Sequence, residues 1–438
     1  MKTRREFLKS GCIGLAATWT LPAFLSKTIF TLDLQAADAL TQSLSGADGP
    51  ILVVLQMGGG NDGLSTVVPF AQDAYYKSRA KLGIPADKIL KLTAAAEFGL
   101  NPNLTGLKEL YDSGSLALLN GVGYPNPNRS HFRSMEIWQT ASDSDKSESY
   151  GWLGRYFDNA CSGADPTVGI NLGSMPPQAF LGPKPLGIAM ASPDRYRLME
   201  SGGSDKQVVQ EFYEALNKPQ TGDFDSNVSG GSVQNVGMTA NHDTAISNLD
   251  YLQRTAMDAE FSSREIQTIA KKTYSGVTYP PGQLSNDLRL VARLIGGGLK
   301  TRIYYVNQGG YDTHANQQAT HSRLMTDLSG ALSAFASDLK AQGNFDRVLL
   351  MTFSEFGRRV QENASGGTDH GVAGPMFVLG GKVKAGAYGQ YPSLTDLDHG
   401  DIRHNLDFRS VYATVLDRWL KADSAAILKR KFDSLDFV

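Results

Sequence analysis

Short runs of apolar residues recur along the chain and alternate with segments in which apolar residues are spaced three or four apart. Runs of four to seven residues that end in glycine-rich or polar loops are typical of strands buried on both faces of a parallel sheet. We predict such buried parallel strands at Ile51–Gln56, Leu116–Asn120, Arg302–Asn307, Arg347–Phe353 and Met376–Leu379.

The spaced apolar residues predict amphipathic helices between these strands. One stripe contains Leu284, Leu288, Val291 and Ile295, and a second contains Leu324, Leu328, Leu332, Phe335 and Leu339. A third helix, Phe408–Leu420, is expected to pack back on the core. Strands that alternate with helices of this length predict an α/β fold with a doubly wound, mostly parallel sheet.

The middle of the chain, about residues 150–280, interrupts this alternation. Lys218–Thr239 is rich in glycine, serine and asparagine and predicts an exposed loop, and Asp243–Lys272 is polar and helical in pattern. We interpret the region as an insertion or cap beside the sheet of a single domain that spans residues 40–438.

Residues 1–39 have the pattern of a twin-arginine signal peptide. Arg4 and Arg5 precede a modestly apolar stretch, Gly11–Leu25, which is interrupted by Gly14 and Pro22 and is too short to span a bilayer stably. The alternative is an amphipathic helix of the mature fold. We expect export by the twin-arginine translocase to the periplasm or the exterior, with no stable membrane span in the mature form.

Charge and cysteine content exclude two classes of protein. Lys and Arg number 42 and Asp and Glu 44, and the two signs are interspersed. No basic patch of the kind that binds nucleic acid is present. Cys161 is the one cysteine beyond the signal segment, so disulfides do not hold the fold.

Polar residues follow the first two predicted strands, where ligands bind in α/β sheets. Asp62 ends a glycine-rich loop and is a candidate metal ligand, or else a helix cap. Ser130 is predicted at a helix N-terminus, where it is a candidate nucleophile, or else an ordinary capping serine. Arg129 beside it is a candidate for binding the oxygens of a phosphoryl or sulfuryl group.

Acidic residues and histidines follow the later strands. Asp312 and His314 are candidate metal ligands on glycine-rich backbone, or else a hydrogen-bonded pair. Glu355 ends an apolar strand and needs a cation or a partner, and Arg358 is either that partner or a second oxyanion-binding arginine. Three further residues complete the set: Asp369 and His370 as candidate ligands, and His321, which we expect on the surface of a helix.

Several motifs together resemble a large family of secreted bacterial proteins, catalogued as the domain of unknown function numbered fifteen-hundred-and-one. The motifs are Gly-Gly-Asn-Asp-Gly at 59–63, Asn-Arg-Ser-His-Phe at 128–132, Gly-Trp-Leu-Gly-Arg at 151–155, Gly-Tyr-Asp-Thr-His at 310–314, Ser-Glu-Phe-Gly-Arg at 354–358 and Thr-Asp-His-Gly at 368–371. The family is grouped with the alkaline phosphatase and sulfatase superfamily. The resemblance therefore implies an alkaline-phosphatase-like fold and a metal-dependent hydrolase. The mixed carboxylate and imidazole ligands suit zinc, manganese, magnesium or calcium.

Within that resemblance, Asp62 matches the first metal ligand, Ser130 the nucleophile, and Asp312, His314, Asp369 and His370 the later ligands. Glu355 replaces an Asp-His pair, and no formylglycine motif surrounds Cys161. We expect an exported metal-dependent hydrolase of phosphate or sulfate esters, whose substrate is a small molecule or a glycan. The alternative is a non-catalytic secreted scaffold or binding protein that retains the fold, and replacement of Ser130 by alanine discriminates the two.

Overall fold

The central sheet begins with β1 (Ile51–Met57), whose side chains alternate between two apolar cores. The computed structural model describes residues 49–93, 95–161, 164–184, 187–193, 263–272 and 274–438. Ile51 and Val53 lie in one core, and Leu52 and Val54 lie in the other. Because successive side chains of a strand face opposite sides of a sheet, this unbroken apolar run needs cover on both faces.

The further strands, in chain order, are β2 (Val67–Val68), β3 (Leu90–Leu92), β4 (Ala95–Leu100), β5 (Leu116–Gly123), β6 (Gly169–Asn171), β7 (Ile188–Ala189), β8 (Ile303–Gln308), β9 (Val348–Phe353), β10 (Arg358–Glu362), β11 (Thr368–His370), β12 (Gly374–Gly380), β13 (Gly386–Tyr388), β14 (Leu397–Asp398), β15 (Asp401–Ile402) and β16 (Leu406–Asp407). The central sheet has the order β13-β5-β12-β9-β1-β8-β6-β7, and β16 also pairs with β5. The smaller sheets have the strand orders β2-β4-β3, β10-β11 and β14-β15.

The direction of the strands confirms a doubly wound, mostly parallel α/β sheet. Strands β9, β1, β8, β6 and β7 are parallel to one another, and β13 and β16 are parallel to β5. The prediction that Met376–Leu379 is a parallel strand is wrong, because these residues belong to β12, which is antiparallel to β5 and β9. The chain leaves β9 and returns through the β10–β11 hairpin without a crossover helix, so it re-enters the sheet from the same edge.

Helices cover both faces of the sheet. They are α1 (Gly63–Thr66), α2 (Asp73–Ser78), α3 (Thr105–Asp112), α4 (His131–Thr140), α5 (Trp152–Ala160), α6 (Gln283–Gly296), α7 (Gln317–Ala341), α8 (Phe408–Thr414) and α9 (Ser424–Ile427). Both predicted apolar stripes are confirmed, since those of α6 and α7 are buried in one core with α3. The predicted C-terminal helix is α8 followed by a π-helical turn, Val415–Leu420, and it packs in the other core with α4 and α5.

The region interpreted as an insertion contributes directly to the sheet. Strands β6 and β7 extend the sheet beyond β8, and residues 263–270 are helical. The predicted loop Lys218–Thr239, the earlier part of Asp243–Lys272 and the signal segment 1–39 lie outside the described residues. Among the helices that the structure describes, none is long and apolar enough to cross a membrane.

The carboxyl ends of four strands meet at one edge of the sheet. Strands β1, β8 and β9 are parallel, and β5 runs in the same direction because both β5 and β9 are antiparallel to β12. The segments that follow these four strands therefore come together in space, as is usual at the ligand-binding edge of an α/β sheet.

Candidate metal centre

Three side chains from three different segments converge at this edge of the sheet. His131 begins α4, Asp312 follows β8, and His370 ends β11. One ligand atom from each lies within 4.8 Å of the others, a grouping suited to a metal ion. The β10–β11 hairpin, in which Arg358 pairs with His370, carries His370 back over the end of β9.

Asp312 is the centre of the cluster. Its Oδ1 lies 3.3 Å from Nε2 of His370 and 3.1 Å from Nε2 of His314, and its Oδ2 lies 3.5 Å from Nε2 of His131. Partial burial alone would raise the pKa of this carboxyl, but the hydrogen bond and charge of Arg358 hold it below its usual value. Asp312 is therefore an ionised carboxylate that faces three imidazole rings.

The other ring nitrogens of these histidines each contact an oxygen atom. Nδ1 of His370 lies 2.8 Å from the carbonyl oxygen of Arg129, and Nδ1 of His314 lies 3.2 Å from Oδ1 of Asp369. A carbonyl or carboxylate oxygen only accepts a hydrogen bond, so Nδ1 carries the proton in both rings. The Nε2 atoms of the two rings lie 2.9 Å apart and both face Asp312.

His131 follows the same rule. Its Nδ1 lies 2.9 Å from Oε1 of Glu355, and its Nε2 faces Asp312. The ligand atoms of His131, Asp312 and His370 thus lie within 4.8 Å of one another, and Nε2 of His314 lies beside both Asp312 and His370. Rings whose outer nitrogen is held by a carboxylate or carbonyl are typical metal ligands, and this donor set fits a divalent cation.

Two predicted ligands have supporting roles instead. Glu355 is buried, and its Oε1 also accepts the Gly59 N–H at 2.8 Å. Asp369 is exposed, and hydrogen bonds from Asn363 and His314 lower its pKa. Both carboxylates orient a histidine by accepting from its Nδ1, so neither turns that oxygen toward the cluster.

The structure corrects the interpretation of Asp62. This carboxylate is fully buried and accepts from both terminal nitrogens of Arg79, at 2.6 and 3.0 Å, and from the hydroxyl of Ser65 at 2.7 Å. Gln317 donates to the same carboxylate. With both oxygens occupied by protein donors, Asp62 anchors a buried arginine and is not a metal ligand.

Arg358 is also not the oxyanion-binding group that its position predicts. Its side chain is fully buried, and its nitrogens donate to the carbonyl oxygens of Gly60 at 2.7 Å and Thr368 at 2.9 Å, and to Asp312 Oδ1 at 2.6 Å. The carbonyl oxygens of Gly59 and Tyr311 accept further bonds. Arg358 therefore holds three loops together and keeps Asp312 ionised. Glu355, for which Arg358 was the predicted partner, contacts His131 instead.

Ser130 occupies the N-terminus of α4 as predicted, beside the cluster. Its side chain is exposed and makes no capping hydrogen bond, which argues against the ordinary capping serine. The flanking residues both contact the cluster: the Arg129 carbonyl accepts from His370, and His131 belongs to the cluster itself. The Arg129 side chain forms an ion pair with the buried Asp401.

Two histidines have roles that the sequence pattern did not indicate. His321 is buried, not on the surface, and its Nε2 lies 3.2 Å from Oδ1 of Asn61. The apolar stripe of α7 does not predict this burial, because the polar loop after β1 covers this part of the helix. His131 belongs to the Asn-Arg-Ser-His-Phe motif at 128–132. Its position directly after the predicted nucleophile Ser130 was the signal that could have identified it as a candidate ligand.

Comparison with known sequences assigns the chain to a family. The family described as "Protein of unknown function (DUF1501)" matches residues 50–430, so the chain belongs to it. Among curated proteins, none matches the sequence.

The fold has distant similarity to several solved structures. The PsFucS1 sulfatase from Pseudoalteromonas sp. is 12% identical, with a TM-score of 0.36, over 95% of this chain and 75% of that one. The phosphonate monoester hydrolase of Agrobacterium radiobacter is 10% identical, with a TM-score of 0.32, over 88% and 79%. The lipoteichoic acid synthase LtaP from Listeria monocytogenes is 10% identical, with a TM-score of 0.32, over 78% and 68%.

Proposed function

We propose that this protein is an exported, metal-dependent hydrolase of phosphate or sulfate esters. The observation that carries the proposal is the convergence of three imidazole Nε2 atoms, from His131, His314 and His370, on the ionised carboxylate of Asp312. A divalent cation would be bound by these nitrogen and oxygen atoms together, and the contacts of the outer ring nitrogens would orient the rings toward it. Of the four metals that carboxylate and imidazole ligands suit, zinc fits an imidazole-rich set best.

A bound divalent cation would polarise the ester and offset the negative charge of the group that is transferred. Ser130 is the proposed nucleophile, because its exposed hydroxyl adjoins the cluster at the N-terminus of the ten-residue helix α4. In the net reaction, the oxygen of water joins phosphorus or sulfur, the ester bond to the alcohol breaks, and the alcohol leaves with a proton. Arg129 contributes positive charge at the rim of the site.

The proposed location is the periplasm or the exterior, reached through the twin-arginine translocase. The support is the Arg4-Arg5 pair and the short apolar stretch that follows it. The substrate is proposed as a small molecule or glycan that carries a phosphate or sulfate ester.

The test is metal content by elemental analysis of protein exported and purified without chelators, with zinc or manganese in the growth medium. We expect stoichiometric metal in the parent and affinity reduced about 10-fold or more in His131→Ala and His370→Ala. His399→Ala is the matched control, because this side chain is 89% exposed and lies outside the cluster. A parent protein that holds no metal under any supplement would overturn the proposal.

Turnover separates the hydrolase from a scaffold. The metal-loaded parent should hydrolyse 4-nitrophenyl phosphate or 4-nitrophenyl sulfate, and Ser130→Ala should lose turnover while it retains the metal. Full turnover in Ser130→Ala would mean that water attacks directly. Bound metal with no turnover on any ester would instead support the secreted scaffold with a structural ion.

A further inference from the structure

A second group of charged residues lies beside the candidate metal centre. Asp401, the first residue of β15, is fully buried, and two arginines approach it from different elements. Arg129 Nη2 pairs with its Oδ2, and Arg359 Nε lies 3.6 Å from its Oδ1. We call Arg129 and Arg359 the arginine pair and Asp401 its anchor.

The anchor compensates only part of the charge of the arginine pair. Both guanidinium groups contact Asp401, and the exposed carboxylate of Asp369 acts on Arg359 from a greater distance. The Asp401 oxygen nearer Arg359 has no hydrogen-bond partner among the described residues. The arginine side chains are 41% and 38% exposed, so a large share of their surface faces solvent. Each guanidinium has five N–H donors. In the described part of the chain, one donor of Arg129 bonds Asp401, and one donor of Arg359 bonds the carbonyl oxygen of His399 at 3.4 Å.

Backbone contacts attach both arginines to the candidate metal centre. The carbonyl oxygen of Arg129 accepts a hydrogen bond from Nδ1 of His370. Arg359 directly follows Arg358, which bonds Asp312 and pairs across the hairpin with His370. The arginine pair is therefore fixed to the same segments that carry the metal-ligand candidates, next to the exposed Ser130.

We infer that Arg129 and Arg359, anchored by Asp401, bind a second anionic group of the substrate. Planar guanidinium groups with several outward donors are suited to carboxylate, sulfate or phosphate oxygens. The inference rests on the proposed function and narrows its substrate class: the preferred esters carry, besides the group that is cleaved, a further negative charge on the alcohol portion. A buried carboxylate restricts the rotamers of both arginines, which lowers the entropic cost of binding that group.

The test compares ligands that differ only in the second charge and that the enzyme cannot cleave as an ester. Phenylphosphonate carries one anionic group, and 3- and 4-carboxyphenylphosphonate carry two. Isothermal titration calorimetry on the metal-loaded parent should show about 10-fold tighter binding of at least one carboxy ligand, as expected for one added charge-assisted contact. Arg359→Gln should abolish this preference, and Arg359→Lys should restore part of it.

The control variant is Arg418→Gln, which removes a comparable arginine far from the site. The Arg418 side chain is 40% exposed and pairs with Asp436. Its neighbour Trp419 bonds the carbonyl oxygen of Ile51, at the opposite end of β1 from the candidate metal centre. Arg418→Gln should keep the preference of the parent. Because the preference is a ratio measured within each variant, a general loss of stability does not mimic the effect.

The possible outcomes distinguish the two proposals. Phenylphosphonate binding with no gain from a carboxy group, or a gain that persists in Arg359→Gln, overturns the second anion site alone. Failure of the metal-loaded parent to bind any of the three phosphonates overturns the proposed function, and the second anion site as a substrate subsite with it.

Discussion

The pair formed by Asp62 and Arg79 illustrates the difference between a residue that serves the fold and one that serves chemistry. Both side chains are fully buried. Burial by itself would raise the pKa of Asp62, but the charge and hydrogen bonds of Arg79 lower it well below its usual value. Arg79 further donates to the carbonyl oxygens of Val360 at 2.6 Å and Arg359 at 2.7 Å. The pair therefore joins the loop after β1 to strand β10.

Removal of one partner of the Asp62–Arg79 pair should lower the free energy of unfolding but leave the metal content unchanged. We expect Asp62→Ala to lower the free energy of unfolding by about 3–5 kcal/mol, because Arg79 is left buried and unpaired. The double variant Asp62→Ala/Arg79→Met should be less destabilised, since no lone charge remains. Urea unfolding measures both, and elemental analysis of the folded protein should find the metal content of the parent. Metal lost from folded Asp62→Ala would restore Asp62 as a ligand.

Residues of similar type at strand ends could not be told apart from sequence. Asp62 and Asp312 both follow a buried strand and a glycine-rich turn, yet one binds a buried arginine and the other faces three imidazoles. The difference depends on Arg79, which lies in an unrelated helix-end segment. Asp312, His314 and His370 were predicted as ligands and do lie together, but His131 was not assigned.

At the scale of elements, the candidate centre depends on a close crossing of the loops after β1 and β8. Gly59 has φ of +118°, and a β-carbon there would lie 2.4 Å from the backbone nitrogen of Asp312. Its own N–H donates to Glu355 at 2.8 Å. Glycine is needed because both the backbone angle and the space exclude a side chain.

Gly59→Ala should therefore displace the loop that carries Asp312 and weaken metal binding. A suitable control is Gly298→Ala, where φ is +81° but no atom lies within 4 Å of the added carbon. Both variants carry the strain of a positive φ, of about 1 kcal/mol, so both should lose some stability. Only Gly59→Ala should also lose metal affinity, as measured by titration of the metal-free protein. Equal metal affinity in the two variants would show that the crossing does not position Asp312.

At the scale of the whole molecule, His321 links stability to pH. It lies in α7 beneath the loop that follows β1, and burial, which disfavours the charged ring, lowers its pKa from 6.5 to about 4. The nearby charge of Asp62 opposes this shift, and those of Arg79 and Arg358 add to it. Between these two pH values the unfolded chain holds more protons at this position than the folded chain, so acidification favours unfolding.

Relative to His321→Gln, the parent should lose about 2 kcal/mol of unfolding free energy as the pH falls from 7.5 to 5. The difference between variants is the right measure, because buried Asp287, whose pKa burial raises to about 6, changes stability in the opposite direction. Urea unfolding at several pH values gives this difference. His399→Gln, at an exposed position, should show the pH dependence of the parent. A parent-minus-His321→Gln difference that is constant with pH would show that His321 titrates normally when folded.

The sequence by itself determined the strands at the centre of the sheet, the helices α6, α7 and α8, and the sheet edge at which the site lies. These features follow from local periodicity, since an apolar run or stripe specifies its own element and the faces that it must bury. Only the tertiary structure decided the direction of β12 and which polar side chains meet. His131 and Glu355 are 224 positions apart and Arg79 and Asp62 are 17 apart, and neither pairing leaves a periodic trace in the sequence. Hydrogen-bond partners are set by the folding of distant segments onto one edge, so the same aspartate type becomes an anchor in one loop and a candidate ligand in the next.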